Sequence, residues 1–378
     1  MNRSFLRKRW GDGLPLIPPT EERIRWLLRG VKLPRNTVMG RIPPRQGIAT
    51  VEVIAANAAM AGARPEYMPV IVAALKAMIG PEFDLGELQA TMNPVVPAVV
   101  VNGPIAKQIG LNSRYNLLGP NPEFPAGATI GRAIRLALMN IGGAIPGVTD
   151  MAGHGQPGKY TGLVFAEAED ESPWEPLSVD RGYPAGTNLV TVLGVAGTLN
   201  IHSTACNEYP GTQSQQAEAV IRNIAKHISI PSRDYWNVVG SREERWAEVG
   251  ICIMSPGRTA RQLADRGWSK QYVKEALFSA ARVSVKDFSE LGPCWGHPDH
   301  WLRAWPWLKP FVEGKPPDAL VPVASSPKGF LVVVAGGDTL HTIWMTTGYS
   351  GGPAQSVEID LPPAWEDLVR EARGYLKG

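Results

Sequence analysis

Cysteine is scarce: three in 378 residues, Cys206, Cys252 and Cys294, far apart and forming no C-x-x-C. That excludes a disulfide framework and suits a reducing compartment, so a cytoplasmic location is expected. Long apolar runs are missing as well. The most hydrophobic stretches, residues 70–79 and 95–101, are too short or too interrupted to span a bilayer. The basic N-terminal residues reach Gly11-Asp12-Gly13 before the apolar run a secretory signal needs. No charge sign dominates, with 38 Lys+Arg against 35 Asp+Glu and a formal net charge of +3. A nucleic-acid partner is therefore not expected. Nucleotide signatures are absent too. No G-K-[ST] follows Ser255-Pro256-Gly257-Arg258, and Ala335-Gly336-Gly337-Asp338 is not a G-x-G-x-x-G, so no nucleotide cofactor is expected.

What is abundant is punctuation. Forty glycines and 34 prolines make up about a fifth of the chain, against roughly 12% in average usage. With 44% hydrophobic residues beside them, this composition gives many shaped loops between packed elements rather than disorder.

Periodicity supplies the elements. Thr20 is placed to cap a helix that stops near Gly30, with Glu21 and Glu22 in its first turn and Ile24, Leu27, Leu28 and Val31 at the spacing of one face. Further helices are expected over 50–61, 66–79, 126–141, 212–227, 259–265, 269–282 and 364–376. Strands are expected over 95–101, 163–166, 188–195, 249–254 and 330–335, with 341–346 as hairpin partner of the last. Helices and strands alternate, which predicts an α/β fold of mixed sheets flanked by helices, in two related or tightly packed halves. The first half spans residues 1–200 and contains a Gly-rich loop, 142–162. The second spans 201–378 and contains a Trp/Pro-rich lid, 294–317. Twelve tryptophans, four of them between Trp295 and Trp307, fit either a homo-oligomer interface or a pocket lid.

Four polar runs carry candidate chemistry. The first is Asp150-Met151-Ala152-Gly153-His154-Gly155-Gln156-Pro157-Gly158-Lys159-Tyr160. Glycines on both sides of His154 let a ligand approach the backbone. An imidazole titrates nearest neutrality, so His154 is the acid/base candidate. Asp150 and Lys159 join it as catalytic groups, and Gln156 and Tyr160 as substrate contacts. The alternative is a surface loop tied down by a structural histidine.

The second run, Gly197 to Tyr209, follows a predicted strand, where ligands gather in α/β sheets. Here Cys206 is a candidate nucleophile, His202 its catalytic partner and Asn200 a substrate contact. The bland alternative is a small buried cysteine. The third run, Cys294-Trp295-Gly296-His297-Pro298-Asp299-His300, offers Cys294, His297 and His300 as metal ligands, but no second ligand pair accompanies them. A solvated lid would read the same way. The fourth is Ser255 to Arg261, where Arg258 beside a helix start would receive a carboxylate or phosphate, or lie on the surface of an ordinary capped helix.

Gly11–Thr20, Asn140–Tyr160, Ser172-Pro173-Trp174-Glu175-Pro176-Leu177 and Phe330–Gly337 together resemble a family of bacterial proteins of about this length. That family opens with Gly-Asp-Gly-Leu-Pro-Leu-Ile-Pro-Pro-Thr, and some relatives are labelled UGSC or selenoprotein-like after a U/C-G-S-C motif. The resemblance covers most of the chain and supports His154 and Lys159, whose loop belongs to the shared pattern. It implies no settled reaction. The cysteines here stand in Ala-Cys-Asn, Ile-Cys-Ile and Pro-Cys-Trp, so a thiol-redox role does not carry over.

The function expected from these residues is an intracellular metabolic enzyme. It would act on a small polar or anionic molecule by hydrolysis, hydration or elimination with a His/Cys/Lys site. A hydrolase or lyase using zinc, iron or manganese is one alternative. A non-enzymatic small-molecule-binding subunit is the other.

Overall fold

A computed structural model describes residues 2–202, 213–229, 248–290, 302–303, 306–347 and 352–377. In chain order its strands are β1 (Val38–Ile42), β2 (Gly47–Thr50), β3 (Val96–Asn102), β4 (Leu163–Ala166), β5 (Leu189–His202), β6 (Gly250–Met254), β7 (Arg282–Ser284), β8 (Leu320–Pro322), β9 (Phe330–Val334), β10 (His341–Thr347) and β11 (Gln355–Glu358). Helices interleave with them, and the fold is α/β, with mixed parallel and antiparallel pairing.

The chain forms two compact units. One comprises residues 1–167, 178–194 and 350–378; the other comprises 168–177 and 195–349. The boundary expected near residue 200 thus lies inside β5, after Gly194, and the closing stretch belongs with the first unit.

β3 lies between β4, parallel to it, and β5. In the first unit β11 runs antiparallel to the first half of β5, pairing Gln355–Glu358 with Val192–Leu189. Strand β3 is almost entirely buried, which its unbroken β-branched run Val99-Val100-Val101 requires of a strand covered on both faces. Helix Ala126–Asn140 packs against β4 and the short helix Gly158–Thr161. Its glycines make this approach possible. A Cβ on Gly131 would stand 1.6 Å from the Thr161 carbonyl oxygen.

Local sequence sets the helix starts. Thr20 Oγ1 accepts from the Arg23 amide at 3.3 Å, and Thr50 Oγ1 accepts from the Val53 amide at 3.2 Å. The third helix begins at Met68 rather than 66, because Pro65–Tyr67 first makes a tight 3₁₀ turn. The opening Gly-Asp-Gly motif is explained by anchoring. Gly11, at φ +97°, donates its amide to Asn140 Oδ1 at 3.1 Å. Asp12 grips Arg132 through two bonds, 2.8 and 3.0 Å, and Leu16 is buried against Met60 and Leu136.

In the second unit the sheet order is β5, β10, β6, β9. β10 is not the hairpin partner of β9. It inserts antiparallel between β5 and β6, while β9 pairs in parallel with β6. A central position gives both edges of β10 a hydrogen-bonded neighbour and buries Trp344 and Met345, whereas a terminal hairpin would leave one edge open. Ile201, Cys252, Val332 and Trp344 meet Val220 and Ile224 of helix Gln213–Ile228 and Val273 and Leu277 of helix Lys270–Ala280 in one core. The Ser172–Leu177 motif is fastened here, with Trp174 Nε1 donating to the Trp268 carbonyl at 2.8 Å. The fully buried Lys270 donates Nζ to the Glu175 carbonyl at 2.9 Å. Among the described residues no helix is long and apolar enough to cross a membrane.

Candidate functional site

In the first unit the Gly-rich loop is held by a buried charge cluster. Asp150 is the centre, its side chain 3% exposed. Lys159 Nζ stands 2.7 Å from both carboxylate oxygens, Arg135 Nη2 donates to Oδ2 at 3.2 Å, and the Ala152 amide donates to Oδ1 at 3.2 Å. Burial pushes the Lys159 ammonium below its ordinary pKa; the Asp150 carboxylate pulls it back up, and Arg135 adds to the lowering. Beside the cluster is a cavity of about 20 Å³, otherwise lined mostly by aliphatic side chains. That is more than the roughly 10–15 Å³ one water needs, and far less than the 300–1,000 Å³ of an ordinary ligand pocket.

Of the residues expected together in this loop, Asp150 and Lys159 meet and the others do not. His154 is exposed and does not line the cavity. Gly153 and Gly155 beside it have room for a Cβ and Met151 is 50% exposed, so the segment lies on the surface, with the Gly153 amide donating to the Met92 carbonyl at 3.2 Å. Gln156 donates Nε2 to the Pro94 carbonyl, and Tyr160 is 61% exposed. Lys159 and Asp150 are engaged with each other, which suits a clamp on the loop better than proton transfer. Arg135 was not anticipated. The available signal was Arg132 and Arg135, three apart on an otherwise apolar helix, each finding a carboxylate.

The second unit holds a different cluster. Strand β5 continues past Gly197 to His202, so Asn200 and His202 stand on the strand rather than in a loop after it. Ile201 turns into the core while its two neighbours face solvent, the period-2 alternation of a strand with one covered face. The register opposes His341 to His202 and Ile343 to Asn200. The two imidazoles pack edge to face, ring centroids 5.1 Å apart and planes at 68°. Asn200 Nδ2 lies 3.2 Å from His341 Nδ1. An amide nitrogen can only donate, so Nδ1 accepts and the neutral ring carries its proton on Nε2. Asn223 of the neighbouring helix donates to the His202 carbonyl.

Parallel strands β6 and β9 end beside this pair, since Met254 opposes Thr342 next to His341. Their loops join there. The Thr339 amide donates to Ser255 Oγ at 3.2 Å, and Arg258 Nε donates to Asp338 Oδ1 at 3.1 Å, each side chain 52% exposed. An ion pair this open is worth at most about 1 kcal/mol, so Arg258 can exchange Asp338 for an anionic ligand. Thus Asn200, His202 and Arg258, read from two separate runs, come to one end of one sheet. His341 and Asp338 complete the group and were not picked out from sequence, because only the antiparallel register brings them there.

Cys206, Cys294, His297 and His300 lie outside the described residues. Cys252 is buried, and desolvation pushes its thiol up to about 12. Among the described residues no group of three or more His, Cys, Asp or Glu is placed to share a metal ion. Comparison with family models, with curated proteins and with solved structures finds no match for this chain.

Proposed function

We propose that this chain is an intracellular enzyme acting on a small polar or anionic organic molecule by hydrolysis, hydration or elimination, at the His202/His341 end of its second unit. The observation that carries this reading is the imidazole pair, 5.1 Å between centroids, with Asn200 fixing one ring's tautomer. Two adjacent imidazoles with different hydrogen-bond partners can serve as a proton donor and a proton acceptor. His341, with its Nδ1 occupied, presents Nε2–H as the proton donor. His202, with no hydrogen bond to its ring nitrogens among the described residues, is the base. Arg258 releases Asp338 and holds the carboxylate or phosphate of the substrate. The sequence places Cys206 four positions beyond His202, and Cys206→Ser tests whether a covalent step is involved.

The kinship suggested by the Gly11–Thr20 and Ser172–Leu177 motifs implies no reaction. The test is to incubate the purified chain with a mixture of small carboxylates, amides and phosphate esters and follow consumption by mass spectrometry. His202→Ala and His341→Ala each lower conversion by about 10²-fold or more, the usual worth of a positioned acid or base, with an unchanged circular-dichroism spectrum. Arg258→Ala raises KM more than it lowers kcat. Undiminished conversion in both histidine variants refutes the assignment. Ligand-induced shifts of the imidazole proton resonances without any conversion would mark a binding subunit instead.

A further inference from the structure

Helix Met68–Ile79 of the first unit carries two rows of side chains with different fates. Ile71, Ala74, Leu75 and Met78 are fully buried in the core. Pro69, Val72, Ala73 and Lys76 stand at i, i+3, i+4 and i+7 on another face, and they line a pocket of about 220 Å³. Strands β1 and β11 pack against this helix. Val31, Leu33 and Val38 complete the apolar lining. Val38 is 61% exposed, so part of that lining is left in contact with water. The pocket shares no residue with the imidazole site.

Charged side chains of both signs line the same pocket. They are Lys32, Lys76, Glu358 at the end of β11, and Asp360 just beyond it. Lys32 Nζ donates to Asp360 Oδ1 at 3.1 Å, with side chains 56% and 65% exposed. So open a pair is weak and exchanges readily. Lys76 and Glu358 are exposed, and among the described residues neither side chain forms a hydrogen bond or an ion pair. The two signs balance. A simple anion would therefore meet two carboxylates here, and a simple cation two ammonium groups. An occupant that carries both charges is answered by both unengaged groups.

Size narrows the class. A cavity of about 150 Å³ holds the six carbons of benzene, so 220 Å³ takes roughly nine non-hydrogen atoms. That lies below the roughly 300–1,000 Å³ of pockets for larger ligands. A zwitterion of this size with an apolar body is an aliphatic amino acid. We propose that this pocket binds a free α-amino acid with an apolar side chain of about the size of leucine, its carboxylate meeting Lys76, its ammonium meeting Glu358 and its side chain lying on Val31, Leu33 and Val72. Burial of the aliphatic group supplies most of the affinity. The charges fix orientation and select the ligand. A residue inside a peptide carries neither charge on its backbone, so the free amino acid is the occupant that fits.

The experiment is thermal unfolding of the full chain at pH 7.5 and matched ionic strength with three probes. They are leucine, 4-methylpentanoate, which lacks the ammonium, and 3-methylbutylamine, which lacks the carboxylate. Ligand that binds only the folded state raises Tm saturably. Leucine is expected to do so with an apparent Kd about fivefold below that of each analogue, the upper worth of one exposed ion pair. Glycine, with no side chain to bury, should bind about tenfold more weakly than leucine or worse. In Glu358→Gln the advantage of leucine over 4-methylpentanoate disappears, and in Lys76→Met its advantage over 3-methylbutylamine. Each ratio is taken within one variant, so a change in basal Tm does not disturb it. No saturable response to leucine in the natural protein, or equal constants for leucine and both analogues, overturns the proposal, and neither result needs a variant to fold. Selectivity for leucine that is unchanged in both variants overturns the assignment to this pocket.

Discussion

Replacing Asp150 by asparagine keeps shape and removes one charge. In the natural protein that carboxylate accepts Lys159 Nζ at 2.7 Å on both oxygens and Arg135 Nη2 at 3.2 Å. Its side chain is 3% exposed and its partners 13% and 16%, so solvent screens the cluster weakly. After substitution the two cations face each other without a counter-charge. Breaking a buried pair by removing one partner typically costs about 3–5 kcal/mol, because the survivor is left uncompensated. Here two survive, so the upper half of that range is expected. Lys159→Met leaves Arg135 and Asp150 paired and should lose less. Urea unfolding followed by circular dichroism measures both.

Amide hydrogen exchange locates the damage. The amides of Gly147 and Asp150 bond within the loop, to the Asp150 and Ile145 carbonyls, and should lose protection first. A loss below about 1 kcal/mol for Asp150→Asn, in the range of an exposed pair, would refute the view that this cluster clamps the loop. So would Lys159→Met proving the costlier change.

Other outcomes follow from the same geometry. In Asp12, burial raises the carboxyl pKa, but the hydrogen bonds and charge of Arg132 outweigh it and hold the group below its usual value. The stability this confers is full above pH about 4 and is lost as pH falls through the lowered value. Asp12→Asn should therefore be less stable than the natural chain at pH 7, and the urea midpoints of the two should draw together as pH falls below about 4. Glu66 behaves oppositely. Desolvation raises its pKa despite Arg64 beside it, with Glu371 adding to the rise. The folded state then holds its proton to higher pH than the unfolded state. The natural chain should gain stability relative to Glu66→Gln as pH falls from 7 toward 4.5, and a difference that is flat with pH contradicts this. Cys252, its thiol pushed up to about 12 by burial, should resist iodoacetamide in the folded protein at pH 7.5 and react once the chain is unfolded in urea. Peptide mass mapping reads this, and rapid native labelling would show the thiol to be accessible.

Much of the fold was legible because it depends on neighbours in sequence. Capping threonines, first-turn carboxylates and the 3.6-residue spacing mark the helix at Glu21–Leu28, and glycine with proline marks its ends. Unbroken β-branched runs mark β3 and β9. The hairpin of β1 and β2 escaped notice because its strands are short and partly exposed, with Val38 61% and Ile48 51% accessible, so neither shows a strong apolar period. Gly197 has the look of a strand ending in sequence, yet β5 runs on through it to His202. The site was legible in part. His202, Asn200 and Arg258 stood out as polar residues at strand ends, and Asp150 and Lys159 as polar residues in a Gly-rich loop. His154 drew attention through its flanking glycines. Glycine beside a histidine permits the approach of a ligand, but equally suits an exposed surface turn, and sequence spacing does not tell these apart.

What sequence alone determined is the alternation of α and β elements, the loops between them and which residue types are available for chemistry, since all of these follow from local sterics and hydrophobic period. Pairing was decided elsewhere. That His341 faces His202 and that Arg135 reaches Asp150 depend on strand order and on how a helix lies over a sheet. These are contacts between residues far apart in the chain, selected by burying the most apolar surface while keeping buried polar groups bonded. Only the assembled tertiary structure satisfies both conditions together, and that requirement placed the charges and imidazoles where they are.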